Sequence, residues 1–318
     1  MSFPSLIIDN LKTYYETRMG FVKAVDGVSF QIGVGEAFGL AGESGCGKTT
    51  IALSIMRLLP KNGRIICGKI LFKGVNLIDT PLNEMNKIRW KRISMIFQGA
   101  MNSLNPVHKV GDQIAEAIIT HDGLDRKEAL EKAGKLMEMV GLPADIVNKY
   151  PHELSGGMKQ RAIIAMALSC NPELIIADEP TTALDVIVQA QILKLISELK
   201  SKLGLSLMLI THDLSIISEL CSKIAVMYAG KIVEIGNVED ICKNPLHPYT
   251  KGLINAFPSI REERRKLSYI PGSPPDLLNP PSGCRFHLRC PEVMNVCRRE
   301  EAELVKVNNT FVACHLYG

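Results

Sequence analysis

A length of 318 residues allows one large domain or two, and 46% hydrophobic residues suffice for a buried core, which excludes disorder throughout. The net charge of +4, from 37 basic and 33 acidic side chains, is too small to point to nucleic acid. No apolar run approaches the ~18 residues of a membrane span, and residues 1–10 lack the basic-then-apolar order of a secretion signal, so a soluble cytoplasmic chain is expected.

Residues 6–32 read as strand: Val28, Phe30 and Ile32 alternate with polar or small residues, and Asp26-Gly27 marks a turn. A short buried strand at Ala37–Ala41 then leads into Gly42-Glu43-Ser44-Gly45-Cys46-Gly47-Lys48-Thr49, followed by Thr50 and a helical stripe through Leu59. Strand, glycine loop and helix together make a phosphate cradle. Backbone N–H groups would turn inward onto phosphate oxygens, Lys48 would reach the β- and γ-phosphates, and the Thr49 hydroxyl would ligate Mg²⁺. By chance this pattern turns up in roughly one chain in a hundred of this size. Tyr14, Tyr15 and Phe21 are candidates to stack on a base, or equally to cover a sheet edge.

Beyond the first helix, residues 70–75 give a strand and turn, and residues 93–97 a compact strand ending on Gln98, where open α/β sheets place ligand-facing groups. Residues 110–150 turn helical, with Gly141-Leu142-Pro143 as a break. Ser155 is placed to cap a further helix whose opening glycines, Gly156 and Gly157, let a ligand approach its exposed N–H groups. The apolar run 174–177 delivers two adjacent carboxylates. Asp178 suits a hold on Mg²⁺, and Glu179 suits polarising an attacking water. Asp185 lies in the loop before a helix over residues 186–200, and the strand 207–210 ends on Thr211-His212-Asp213. Residues 224–235 look like a hairpin.

Taken as a set, the motifs resemble those of ATP-binding-cassette (ABC) ATPases, the nucleotide-hydrolysing subunits of transporters. The resemblance covers about residues 6–238: the phosphate loop, the glutamine loop at Gln98, and the signature Leu154-Ser155-Gly156-Gly157-Met158-Lys159-Gln160. It continues through the strand bearing Glu179, the aspartate loop Ala183-Leu184-Asp185 and the switch histidine His212. It implies an α/β fold: a P-loop ATPase core with a mostly parallel sheet, an N-terminal antiparallel β region, and an inserted helical subdomain over about residues 100–168. A nucleotide-binding domain would span residues 1–240, and a small Cys-rich extension residues 241–318.

Two cassettes would face each other, with ATP held by Gly42, Ser44, Gly45, Cys46, Gly47, Lys48, Thr49 and Thr50 of one and by Ser155, Gly156, Gly157 and Gln160 of the other. Asp185 would complete that contact. Glu179 would be the general base, His212 the γ-phosphate sensor, and Gln98 a contact to the water. Thr49, Gln98 and Asp178 would hold Mg²⁺. Met19 stands where many members carry the adenine-stacking aromatic, and Tyr15 or Phe21 is the replacement.

The tail narrows the family. Asn244-Pro245-Leu246-His247-Pro248-Tyr249-Thr250 and Pro280-Pro281-Ser282-Gly283-Cys284-Arg285-Phe286 are similar to the C-terminal extension of dipeptide and oligopeptide permease ATPases, as is Ser103-Leu104-Asn105-Pro106. That branch imports peptides, with sugar and nickel importers as alternatives. Its expected partners are a second ATPase, identical or different, two transmembrane permease subunits and an extracytoplasmic binding protein, at the cytoplasmic face of the membrane, with no nucleic acid. A soluble cassette acting on nucleic acid or the ribosome is the rival, disfavoured by one cassette and near-neutral charge.

Cys284, Cys290, Cys297 and Cys314, separated by five, six and sixteen residues, crowd into the tail. Four thiolates around one metal centre would fix such a loop. The spacing lacks the close pairs of structural zinc sites and suits a 4Fe–4S cluster, which some relatives in the resembled branch carry; zinc or uncoordinated thiols are the alternatives. His287 and His315 are further candidate ligands.

Overall fold

The computed structural model describes residues 4–99, 103–256 and 270–318. In chain order the elements are β1 (Leu6–Thr17), β2 (Gly20–Ile32), β3 (Ala37–Ala41), α1 (Lys48–Met56), β4 (Gly63–Phe72), β5 (Val75–Asn76), α2 (Leu82–Ile88) and β6 (Ile93–Ile96). The helices α3 (Val110–Asp122), α4 (Arg126–Met139) and α5 (Gly156–Ala167) follow, then β7 (Leu174–Asp178), α6 (Val186–Leu203), β8 (Ser206–Thr211) and α7 (Leu214–Leu220). The chain closes with β9 (Lys223–Tyr228), β10 (Lys231–Asn237), α8 (Val238–Lys243), α9 (Pro248–Ala256), β11 (Leu304–Val307) and β12 (Thr310–Ala313). They fall into two compact units, Met1–Asp79 with Leu209–Gly318, and Thr80–Met208.

In the first unit β2, β1, β4 and β5 form an antiparallel sheet. The β1–β2 register runs from Leu6↔Ile32 to Thr17↔Gly20, so the chain reverses at Arg18-Met19 and not at Asp26-Gly27 as the sequence suggested. Pairing passes from Leu11↔Val28 to Lys12↔Asp26, leaving Gly27 as the extra residue of a bulge at φ 81°. A glycine that permits positive φ serves a bulge as readily as a turn.

The second sheet of this unit is ordered β11-β12-β10-β9-β3-β8. Every residue of β3 is buried, and β3 runs parallel to β9. The expected hairpin forms from β9 and β10 around Ala229-Gly230, both at positive φ, the backbone that tight hairpin turns require. β12 pairs antiparallel with β10 through Glu234↔Val312 and Ile235↔Phe311, so the tail joins this sheet. The sheet is therefore mixed, its antiparallel part made by the β9–β10 hairpin and by the tail strands β12 and β11 laid beside β10.

In the second unit β6 and β7 pair in parallel from Ile93↔Leu174 to Ile96↔Ala177, with every paired residue buried. The helices α3, α4 and α5 pack on one another. A capping box opens α4: Asp125 Oδ1 accepts from Glu128 N at 2.9 Å, and Glu128 Oε2 accepts from Asp125 N at 3.2 Å. No helix among the described residues is long and apolar enough to cross a membrane.

Candidate nucleotide-binding site

The first unit carries the phosphate loop between β3 and α1. Gly42, Gly45 and Gly47 sit at φ 149°, 81° and 109°, backbone that side chains rarely adopt. A Cβ on Gly47 would also strike the Ala24 carbonyl. No side chain caps α1, so its first N–H groups stay available to an anion. Lys48 is buried, and its Nζ donates to the carbonyls of Gly42 at 2.7 Å and Glu43 at 2.9 Å, closing the loop upon itself. Cys46 is buried beside it, and burial pushes its thiol up in pKa. Ser44 and Gly45 are exposed, Thr49 half-buried and Thr50 buried.

Thr50 Oγ1 lies 3.1 Å from the Tyr15 hydroxyl, which places Tyr15 against α1, while Met19 and Phe21 are exposed. His212 is exposed at the end of β8, where Asp213 caps α7 by accepting from Ser215 N at 2.8 Å.

The second unit carries the carboxylates. Asp178 ends β7 almost fully buried, and Glu179 follows at φ 46°, a left-handed conformation that is costly for a glutamate and is held by its surroundings. Gln98 Nε2 donates to Glu179 Oε2 at 3.0 Å, and Thr182 Oγ1 donates to the same oxygen at 2.9 Å. The structure thus brings Gln98 to Glu179 and adds Thr182. That residue was missed because only the reverse turn closing Thr182 N onto the Glu179 carbonyl, at 3.2 Å, returns its hydroxyl to the carboxylate.

Ser155 is exposed and caps α5, its Oγ accepting from Met158 N at 3.4 Å. A Cβ on Gly157 would lie 2.8 Å from Val188 Cγ1, so a side chain there would need Val188 on α6 to shift. Gln160 is buried within α5. Asp185 caps α6, accepting from Ile187 N at 3.1 Å and Val188 N at 2.9 Å, beside Val186 and Ile187, which are 83% and 73% exposed. This unit also has a groove of about 740 Å³ lined by Trp90, Ser103, Asn105, Asp112, Glu116 and His121 among others.

In the tail, Cys284, Cys290, Cys297 and Cys314 line one small pocket with His287 and His315. Burial pushes the Cys284 thiol up to about 11, and those of Cys290 and Cys314 upward as well. Among the described residues, no group of three or more His, Cys, Asp or Glu side chains is placed to hold a metal ion.

Residues 25–182 match the family model described as ABC transporter, and residues 233–297 match that of the oligopeptide/dipeptide transporter C-terminal region. The chain is 49% identical to the probable peptide ABC transporter ATP-binding protein y4tR of Sinorhizobium fredii, over 95% of this chain and 91% of that protein. It is 44% identical to the dipeptide transport ATP-binding protein DppD of Caldanaerobacter subterraneus, over 98% and 96%. With the oligopeptide transport ATP-binding protein OppD of Escherichia coli the identity is 46%, over 92% and 87%. Among solved structures, the ATP-binding cassette MJ0796, a dimer bound to ADP and Pi, aligns at a TM-score of 0.66 and 27% identity over 73% of this chain and 98% of its own.

The fold is that of an ABC ATPase cassette. The chain belongs to the ABC transporter family, and within it to the ATP-binding subunits that carry the oligopeptide/dipeptide C-terminal region.

Proposed function

We propose that the chain powers import of dipeptides or oligopeptides by binding and hydrolysing ATP at the cytoplasmic face of the membrane. The peptide class is supported by the names of three relatives and by the C-terminal region matched at residues 233–297. In this reading residues 1–240 form the nucleotide-binding domain, with a helical subdomain over about 100–168, and residues 241–318 an extension.

The observation that carries the mechanism is the Glu179 carboxylate, posed beyond β7 and held by Gln98 and Thr182. The loop N–H groups and Lys48 would take phosphate oxygens, as would His212 at the γ-phosphate, and Tyr15 would flank the base. Thr49, Gln98 and Asp178 each offer an oxygen donor of the kind Mg²⁺ takes. That ion would neutralise charge on the β- and γ-phosphates. Glu179 would accept a proton from the attacking water.

The start of α5, with Ser155 exposed and Gly156 and Gly157 half-buried, would close on the nucleotide of a second ATPase subunit. The exposed Val186 and Ile187, beside Asp185, give that partner an apolar edge. The groove lined by Trp90, Asn105 and Glu116 would receive a membrane subunit of the permease, itself supplied by an extracytoplasmic binding protein.

Replacing Glu179 by Gln removes the base and keeps the shape. Phosphate release should fall by about 10²–10⁴-fold while ATP binding persists and a closed dimer accumulates on gel filtration. Turnover near that of the unaltered chain would remove Glu179 from its role.

For the tail, the proposal is a 4Fe–4S cluster on Cys284, Cys290, Cys297 and Cys314, with zinc as the alternative. The four cysteines line one small pocket, and their spacing in the chain, wider than the close pairs of structural zinc sites, suits the larger group. It would staple a segment poor in apolar residues. Iron and sulfide at about four each per chain, lost with Cys290→Ser, would support it. About one zinc per chain would replace it, and neither metal would overturn it.

A further inference from the structure

In the first unit the C-terminal extension reaches the phosphate loop itself, at Glu43. All three polar groups of that residue are engaged. Its N–H donates to the Tyr249 hydroxyl at 2.9 Å, and its carbonyl accepts from Lys48 Nζ at 2.9 Å. Its carboxylate takes a two-pronged grip from Arg289, Nη1 to Oε2 at 2.7 Å and Nη2 to Oε1 at 2.9 Å.

Arg289 is itself locked. Its Nε donates to the Pro271 carbonyl at 2.8 Å, Nη1 lies 3.3 Å from the Tyr228 hydroxyl, and the side chain is only 6% exposed. Tyr249 is fully buried, its ring packed on those of Tyr228 and Phe286. A planar guanidinium anchored at Nε by a carbonyl and packed over the Tyr228 ring has one orientation, and it passes that orientation to the carboxylate.

The geometry points to the extension as a positioning clamp for nucleotide binding. Arg289 and Tyr249 are positioning residues that act through Glu43, holding the second residue of the loop so that the N–H groups after it turn inward onto phosphate. The loop's left-handed glycines give it freedom that Glu43 must then restrict. The inference rests on the reading of this loop as the ATP site.

The test uses the full chain, a fluorescent ATP analogue and steady-state hydrolysis. Binding by the unaltered chain comes first; if it binds nothing, the ATP-site reading fails and the clamp goes with it. Given that binding, Arg289→Met and Tyr249→Phe should each raise the analogue's Kd and the KM for ATP by about fivefold or more, with kcat changed far less. Glu43→Gln should match Arg289→Met, and the double variant should be no worse than either, because both changes cut one contact. Tyr249→Phe removes a single hydroxyl and leaves its ring packing in place, so it remains informative if Arg289→Met fails to fold. Unchanged Kd and KM in the variants that fold would overturn the clamp. A lowered melting temperature with normal affinity would overturn it equally, leaving these residues as a staple for the tail.

Discussion

Two helices in this chain begin with glycines, and the two beginnings are built in opposite ways. Before α1, Gly42, Gly45 and Gly47 are there for positive φ, no side chain caps the helix, and Lys48 is buried and folded back onto the loop. At α5, Ser155 caps the helix and is exposed, while Gly156 and Gly157 have ordinary backbone and are half-buried. A Cβ on Gly157 would need Val188 to shift. The first start forms a closed cradle within one chain. On the proposed reading the second is half of a site that another subunit completes.

If that contrast holds, disabling each end should fail differently. Lys48→Met removes the cation from the cradle, and ATP binding should weaken by at least about a hundredfold, the loss of two charge-assisted contacts. Equilibrium binding of a fluorescent ATP analogue reads it directly, and binding retained in that variant would break the contrast at its first term. Ser155→Arg leaves the cradle alone, so binding should persist. Turnover should drop by about a hundredfold or more, because the outward N–H groups are covered. Mixing the two variants then sharpens the result. Recovered turnover means that the completing surface is a second copy of this chain, and none means a different ATPase.

The first of these ends was legible in the sequence because its chemistry is local. A strand, a glycine loop and a helix lie within about twenty residues, and the glycine spacing has few other uses. The carboxylates at the end of β7 and the glutamine after β6 stood out for the same reason, since a polar group ending a buried strand announces itself. What escaped depends on residues distant in sequence. Glu43 fills an unspecified position of the phosphate motif, and Arg289, which holds it, lies 246 positions away. That the register of α5 buries Gln160 was likewise not visible in the signature itself. Asp26-Gly27 read as a turn because glycine permits both a turn and a bulge, and only the pairing with β1 decides. The cysteines were visible as a group; that they share a pocket depends on the fold of the whole tail.

Smaller effects test the second end on its own. Ser155→Ala removes the cap and should cost about 1 kcal/mol. A melting point about 2–4 °C lower would show it, with ATP binding by the chain's own phosphate loop unchanged. An unaltered melting point would mean that the Oγ contact to Met158 N, at 3.4 Å, contributes nothing.

The smallest expected effect is also the most diagnostic of why Gly157 is glycine. In an open helix, glycine to alanine stabilises by up to about 1 kcal/mol. Here the new methyl would meet Val188 Cγ1 at 2.8 Å, and overpacking typically costs about 1–3 kcal/mol. Gly157→Ala alone should therefore be destabilising, by about 0.5 kcal/mol once the two terms offset. In a Val188→Ala background the obstruction is gone, and the same change should stabilise by a similar amount. Thermal melting of the four proteins gives the sign in each background. A reversal of sign assigns the glycine to packing against α6. Destabilisation in both backgrounds would mean that the backbone at 157 needs glycine for its own sake, and the two glycine-marked helix starts would then be more alike than their dihedral angles suggest.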